Sequence, residues 1–74
     1  MIKSELDINK EKLGQRIESL RTLKDYGVRE FALLAEIEHH QLINIEKGRV
    51  DPRYSTLIKI SKALEIEIKE LLNF

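Results

Sequence analysis

The sequence predicts an all-α fold, with one compact domain built from four or five short helices. The first observation is length, because 74 residues suffice for one small domain. The second is composition: the helix-favouring residues Leu, Ile, Glu and Lys dominate, with only three glycines and one proline. The third is periodicity, since apolar residues recur three and four positions apart in short segments, a spacing typical of amphipathic helices.

The first helix is predicted over residues 10–25, with an apolar stripe formed by Leu13, Ile17 and Leu20. Asn9 is placed to cap its start, and Gly27 is the residue type that commonly ends a helix. Residues 1–8 do not extend this stripe. They are predicted to form a flexible N-terminal arm, which leaves residues 9–74 as the folded domain.

Two short helices follow, at about 28–35 and about 39–47. The first has an apolar face of Phe31, Leu34 and Ala35, with Ala32 beside it. The second is anchored by Leu42 and Ile45 and ends at Gly48. Glu38 places a negative charge at the start of this second helix, where the helix dipole favours one. Only about three residues separate the two helices, which therefore form a tight corner.

The last two helices are predicted over residues 53–64 and 67–73. Pro52 suits a helix start just after it. The residues assigned to the core are Leu57, Ile60, Ala63 and Leu64 in the first of these helices, and Ile68, Leu71 and Leu72 in the second. Ile66, Ile68, Leu72 and Phe74 exceed what a small domain easily buries, so they form either a homodimer interface or the closing layer of the core.

Composition excludes several classes of protein. The sequence has no cysteine, which rules out disulfides and cysteine-ligated zinc. No apolar run is long enough to span a membrane, and the charged N-terminus lacks the apolar region of a signal peptide, so a cytoplasmic location is expected. The formal net charge is zero. Residues 39–62 nevertheless carry five basic side chains against two acidic ones, a local field that attracts a polyanion.

The corner at residues 28–47 has the spacing of a helix-turn-helix. Ala32 supplies the small residue where the second helix crosses the first, and Ile37 supplies an apolar plug in the turn. Leu42 and Ile45 then point inward, five and eight positions after that plug. The opposite face of the second helix is left free to enter a DNA groove.

Three stretches together resemble the Cro/CI-type helix-turn-helix family, also called XRE, which is lambda-repressor-like. They are LGQRIESLR, VREFALLAEIEHHQLINIEKGRVDP and STLIKISKALEI. The corresponding family patterns are LGxRIxxLR, then LA, IxxIExG and NPxxxTLxxIAxAL, and the match covers residues 13–72. The resemblance implies a compact five-helix domain, a recognition helix near 39–47, and a structural ion pair between Arg21 and Glu46.

The resemblance also implies which side chains meet double-stranded DNA, because the N-terminal part of the second helix approaches base edges. The expected base contacts are His39, His40, Gln41, Ile43 and Asn44. For Gln41, packing toward the preceding helix is an equal alternative. The expected contacts to the DNA backbone are Arg29, Lys47, Arg49, Arg53 and Tyr54, which supply affinity without reading sequence.

Five positions depart from the family pattern. They are Val28 for a phosphate-binding Gln, Glu36 for a Gly, Glu38 for a Ser or Thr, Asp51 for an Asn, and Arg53 for a Ser or Thr cap. Acidic side chains near phosphates oppose binding. The expected affinity for DNA is therefore modest, or depends on dimerisation.

Other chemistry finds little support in the sequence. His39 and His40 point about 100° apart on a helix, so they cannot chelate one ion in the usual i, i+4 manner. The serines have no His and acid at a recognisable catalytic spacing. No metal, cofactor or enzyme activity is predicted. The leading hypothesis is a homodimeric DNA-binding transcriptional regulator, most simply a repressor, on a palindromic operator, and the alternative is an antitoxin or adaptor with a protein partner.

Overall fold

The computed structural model describes residues 2–74, and those residues form five α-helices and no β-strand. The helices are α1 (Glu5–Leu23), α2 (Val28–Leu34), α3 (His39–Glu46), α4 (Tyr54–Leu64) and α5 (Ile68–Leu71). They pack into a body of about 36 × 24 × 22 Å. The predicted all-α class and five-helix architecture are confirmed. No helix within residues 2–74 combines the length and apolarity that crossing a bilayer requires.

The first helix starts earlier than the sequence predicted. Ser4 is its N-cap, and its Oγ accepts a hydrogen bond from the backbone N–H of Asp7 at 3.1 Å. Glu5 and Asp7 add negative charge to the first turn, where the helix dipole favours it. The prediction of an arm over residues 1–8 with a cap at Asn9 is therefore wrong for residues 5–8, and Met1 lies outside the described residues. The apolar side chains of this extra turn, Leu6 and Ile8, are exposed, so they contribute little packing.

The end of α1 also differs from the prediction. The helix stops at Leu23, and Asp25 adopts the left-handed conformation with φ of 60°. The backbone N–H groups of Asp25 and Tyr26 donate to the carbonyls of Thr22 and Arg21 and so close the last turn. Gly27 has φ of −73° and is the N-cap of α2, so its expected role as the stop of the first helix is wrong.

The core lies where α1, α2, α3 and α4 meet, and α5 closes one end. Its buried apolar residues are Leu13, Ile17, Phe31, Ala32, Ala35, Leu42, Ile45, Leu57, Ile60, Leu64 and Leu71. Leu34 and Leu72 were expected in the core but are 51% and 42% exposed. In α2 the buried face is centred between Phe31 and Ala32, and a 100° step per residue turns Leu34 away from it.

Helix α1 crosses α3 at Gly14, with no room between the two backbones. A Cβ atom at this position would lie 2.4 Å from the carbonyl oxygen of Glu46 and 2.5 Å from that of Ile45. Such distances are far inside van der Waals contact. The absence of a side chain at Gly14 therefore fixes how closely α1 approaches the end of α3.

The corner between α2 and α3 contains one unfavourable backbone conformation. Glu36 has φ of 57°, in the left-handed region, while the N–H of Ile37 donates to the carbonyl of Ala32 at 2.9 Å. Ile37 packs against the core, as expected of a plug in the turn. Left-handed conformations are unfavourable for residues with a Cβ and nearly free for glycine.

Replacing Glu36 with glycine is therefore expected to raise the free energy of unfolding by about 0.5–1 kcal/mol, even though glycine adds disorder to the unfolded chain. Chemical denaturation of the purified variant measures this. The matched control is Glu36→Gln, which removes the charge but keeps the backbone conformation and should change stability by only a few tenths of a kcal/mol. Equal stability of the glycine and glutamine variants would show that the turn is not strained.

Candidate nucleic-acid interface

Helix α3 buries one side and presents the other. Leu42, Ile45 and Glu46 are buried beneath it. Since each residue turns the helix by about 100°, the side opposite these three carries His40, Asn44 and Lys47. His40 and Lys47 are exposed and Asn44 is half-buried. The outward face of α3 is therefore polar, with its positive charge near the C-terminal end.

A groove lies on each side of this outward face. The α2 groove, about 410 Å³, is lined by Arg29, Ala32, Leu33, Ile37, Glu38, His39 and His40. The α4 groove, about 440 Å³, is lined by Gln41, Ile45, Val50, Asp51, Pro52, Arg53, Ser55, Thr56 and Lys59. Five of the site residues named from the sequence line a groove: Arg29, His39 and His40 the α2 groove, and Gln41 and Arg53 the α4 groove.

The structure contradicts one of the two alternatives for Gln41, its packing toward the preceding helix. Gln41 is exposed and lines the groove that faces the start of α4, on the side away from α2. Packing toward the preceding helix is therefore not what the structure shows. The same groove contains Lys59, a basic residue that was not assigned a role from the sequence, although it belongs to the basic segment 39–62.

The two histidines are neighbours at the mouth of the α2 groove. Their ring centroids are 4.3 Å apart, with the ring planes tilted by 44°. Partial desolvation, followed by the nearby positive charge of Arg29, lowers the pKa of His39 from its usual value. Its imidazole is therefore mainly neutral at pH 7, and in the neutral form one nitrogen donates and one accepts. Within residues 2–74, no three His, Asp or Glu side chains converge in a way that could hold a metal ion.

The end of α3 is fastened to α1 by a buried ion pair. The Arg21 guanidinium donates from Nε to Oε2 of Glu46 at 2.7 Å and from Nη2 to Oε1 at 2.9 Å. Its Nη1 donates to the backbone oxygen of Tyr26 at 2.7 Å. Hydrogen bonding to Glu46 raises the pKa of Arg21. One side chain thus joins α1, α3 and the α1–α2 connection, and it fixes the position of the outward face relative to the core.

Just beyond α3, Arg49 folds back onto the helix. Its Nη1 donates to Oδ1 of Asn44 at 3.3 Å, and its backbone N–H donates to the carbonyl of Asn44 at 3.0 Å. Arg49 was expected to meet the DNA backbone and Asn44 to meet a base. The structure joins these two residues directly, and nothing in their sequence separation indicated this contact.

The four residues considered for a dimer interface divide into two pairs. Ile66 and Ile68 are half-buried against the core. Leu72 and Phe74 are 42% and 51% exposed. Arg16 joins α1 to α5, because its Nη2 donates to the backbone oxygen of Glu70 at 2.8 Å. Only the second pair therefore leaves much apolar surface uncovered.

Three acidic residues that differ from the family pattern lie beside the outward face. Glu36 and Glu38 are exposed at the corner before α3. Glu38 is the N-cap residue of α3, although its side chain makes no capping hydrogen bond. Asp51 is exposed at the wall of the α4 groove. Arg29, Lys47, Arg53 and Tyr54 are all exposed around the same surface. Acidic and basic groups are thus both exposed around this surface.

Comparison with known proteins is consistent with this geometry. A family model described as a helix-turn-helix domain matches residues 14–73. The restriction-modification controller protein C.AhdI from Aeromonas hydrophila is 30% identical, with a TM-score of 0.85 over 86% of this chain and 97% of that one. The clp gene regulator ClgR from Corynebacterium glutamicum is 26% identical, with a TM-score of 0.82 over 86% of this chain and 82% of that one.

An HTH_3 family transcriptional regulator from Vibrio cholerae supports the fold alone, at 24% identity. Its TM-score is 0.84, over 89% of this chain and 37% of that one. No curated protein matches the sequence. The similarity to C.AhdI spans nearly all of that chain.

Proposed function

The chain belongs to the Cro/CI-type helix-turn-helix family of DNA-binding transcriptional regulators, and from that premise we propose that it binds a specific double-stranded DNA sequence as a homodimer and represses transcription. The observation that carries this proposal is the outward face of α3. It is a polar ridge between two grooves, held from below by Leu42, Ile45 and the buried Glu46. A ridge of this kind matches the major groove, which admits one α-helix.

Base contacts are assigned to the ridge and its margins, namely His39, His40, Gln41, Ile43 and Asn44. An asparagine amide can bond both N6 and N7 of adenine, and an apolar side chain can meet the methyl group of thymine. Ile43 is half-buried, so only part of its side chain is available for such a contact. The neutral imidazole of His39 can donate to a base or accept from one.

Contacts to the DNA backbone are assigned to the rim, namely Arg29, Lys47, Arg49, Arg53 and Tyr54. Their exposure on both sides of α3 supports this assignment, since phosphates run along both edges of a groove. Glu36, Glu38 and Asp51 lie near the same edges and would repel phosphate. In a dimer the favourable contacts of both protomers hold the same duplex and offset this repulsion. This is one reason to propose a dimer.

The proposed dimer uses the end of the chain that carries Ile66, Ile68, Leu72 and Phe74. Leu72 and Phe74 supply the exposed apolar surface, and the two isoleucines are half-buried against the core. A two-fold dimer would set its recognition helices about 34 Å apart, one turn of DNA. Repression by occlusion of the promoter is the simplest mechanism for such a dimer. Action on DNA also implies the cytoplasmic location expected from the sequence.

Selection of bound duplexes from a random pool tests this proposal. The expected result is an inverted repeat whose half-sites are centred about one helical turn apart, roughly 10 base pairs. The double variant Leu72→Ser with Phe74→Ser removes both exposed apolar side chains. It should still select the same half-site but no longer select the inverted repeat. No enrichment of any sequence would contradict DNA recognition, and enrichment of a single half-site by the unmodified chain would contradict the dimer.

A protein-binding adaptor or antitoxin is the second candidate. It is favoured by the three acidic side chains near the proposed DNA face and by Leu33, which is 79% exposed beside the α2 groove. Affinity purification after nuclease treatment separates the two functions. A stoichiometric protein partner, together with no selected duplex, would favour the adaptor. An enzyme is not proposed, because the similar solved structures are those of regulators.

A further inference from the structure

We infer that Arg49 is a positioning residue for base recognition: it orients the side-chain amide of Asn44 so that this residue reads adenine. The inference rests on the proposed function and deepens it, because the sequence pattern assigns Arg49 only to the DNA backbone. It is carried by two hydrogen bonds between Arg49 and Asn44 and by the chain reversal that makes them possible.

The chain reversal originates at Gly48. This residue has φ of +70°, and its N–H donates to the carbonyl of Ile45 at 3.0 Å while the N–H of Arg49 donates to that of Asn44. This pair of bonds is the Schellman end of a helix, which returns the following residue over the last turn. A Cβ at Gly48 would lie 2.8 Å from the Cα of Glu11, so packing against α1 also requires glycine here. The position of Arg49 above Asn44 is therefore built into the fold.

The side-chain hydrogen bond then selects one orientation of the amide. A guanidinium carries only donors, so the atom of Asn44 that faces Nη1 at 3.3 Å must be the oxygen. The amide nitrogen consequently points away from Arg49. The oxygen keeps a second lone pair, because a carbonyl oxygen can accept two hydrogen bonds.

This orientation determines what Asn44 offers to DNA. Its amide nitrogen donates and its oxygen still accepts, side by side, which complements the N7 acceptor and N6 donor of adenine. Without Arg49 the amide can rotate by half a turn and exchange these two groups. Entry into the DNA groove removes water from the Arg49–Asn44 hydrogen bond and so strengthens it. The remaining donors of the guanidinium stay available for a phosphate.

The test uses the full chain and the duplex that the unmodified protein selects from a random pool. Asn44→Ala first identifies the base pair at which discrimination is lost. Arg49→Ala is then expected to reduce discrimination at that same base pair by about 3- to 10-fold, in addition to weakening binding to every duplex. In the double variant, the loss of discrimination should be no larger than for Asn44→Ala alone, because both changes remove one contact.

Arg53→Ala is the matched control. Arg53 is also a proposed backbone contact, and among the described residues its side chain makes no capping hydrogen bond to α4. This variant should weaken all duplexes alike and leave discrimination unchanged. If Arg49→Ala behaves in the same way as Arg53→Ala, Arg49 contacts only the backbone and the inference is overturned.

A measurement without DNA separates this inference from the proposed function. Nitrogen relaxation of the Asn44 side-chain amide should report a more ordered amide in the unmodified chain and in Arg53→Ala than in Arg49→Ala. An amide that is equally ordered in all three proteins contradicts the positioning role, whether or not DNA binds. Failure of the unmodified chain to select any duplex contradicts the proposed function, and with it the role in reading adenine.

Discussion

Replacing Glu46 with alanine is expected to lower the free energy of unfolding by about 3–5 kcal/mol, because it leaves the buried Arg21 guanidinium without its counter-charge. Arg21 and Glu46 are only 7% and 9% exposed, and two hydrogen bonds join their side chains. A domain of this size has a total stability of only about 5 kcal/mol or somewhat more. A large fraction of the variant should therefore be unfolded at 37 °C, as urea denaturation followed by circular dichroism would show.

Two controls make this result specific to the buried pair. Lys69→Ala removes an exposed ion pair, in which Nζ of Lys69 lies 3.3 Å from a carboxylate oxygen of Glu67, and should cost less than about 1 kcal/mol. The double variant Arg21→Met with Glu46→Leu removes both charges and should recover much of the lost stability. If Glu46→Ala were as mild as Lys69→Ala, the pair would not hold α3 in place.

Replacing Gly14 with alanine is expected to destabilise the domain by about 3 kcal/mol, the upper end of the usual cost of overpacking. Helix propensity alone predicts the opposite sign, since alanine is favoured over glycine in a helix by about 1 kcal/mol. The packing wins because the new Cβ would meet backbone atoms of Glu46 and Ile45 at 2.4–2.7 Å, and backbone cannot move aside as a flexible side chain can. Thermal unfolding of the purified variant measures the effect.

Gly27→Ala is the matched control for Gly14→Ala. A Cβ at Gly27 would have nothing within 4 Å, and the residue has an ordinary φ of −73°. Because glycine is a somewhat better N-cap than alanine, a loss of no more than about 1 kcal/mol is expected. Stabilisation by Gly14→Ala would mean that α1 and α3 are not in close backbone contact.

The parts of the fold that depend on a local sequence pattern could be predicted from the sequence. Helix α3 could be predicted because Gly48 follows its end and because Leu42 and Ile45 recur at helical spacing. The start of α1 could not, because Leu6 and Ile8 are exposed and contribute no apolar stripe, while a capping serine resembles any other serine. The first turn of α1 is instead capped by Ser4 and carries an ion pair between Asp7 and Lys10.

Contacts between residues on different helices and loops could not be predicted from the sequence. In α2, Leu34 and Ala35 were both assigned to the apolar face, but Ala35 is 2% exposed and Leu34 is 51% exposed. Glycine is unfavourable within a helix, and only the close contact with α3 explains why Gly14 is there. The candidate site was predicted as a set of residues, but its division into a ridge and two grooves, and the joining of Arg49 to Asn44, depend on how the chain folds back.

Specific binding to DNA is measured by fluorescence anisotropy with two duplexes, the selected one and a shuffled one of equal composition, across a range of salt. Four basic side chains among the proposed backbone contacts in each of two protomers predict that affinity for the selected duplex falls by about 10³-fold or more between 50 and 200 mM salt. At the higher salt the selected duplex should still bind about 10³-fold more tightly than the shuffled one. Equal binding of both duplexes, with no dependence on salt, would contradict the account.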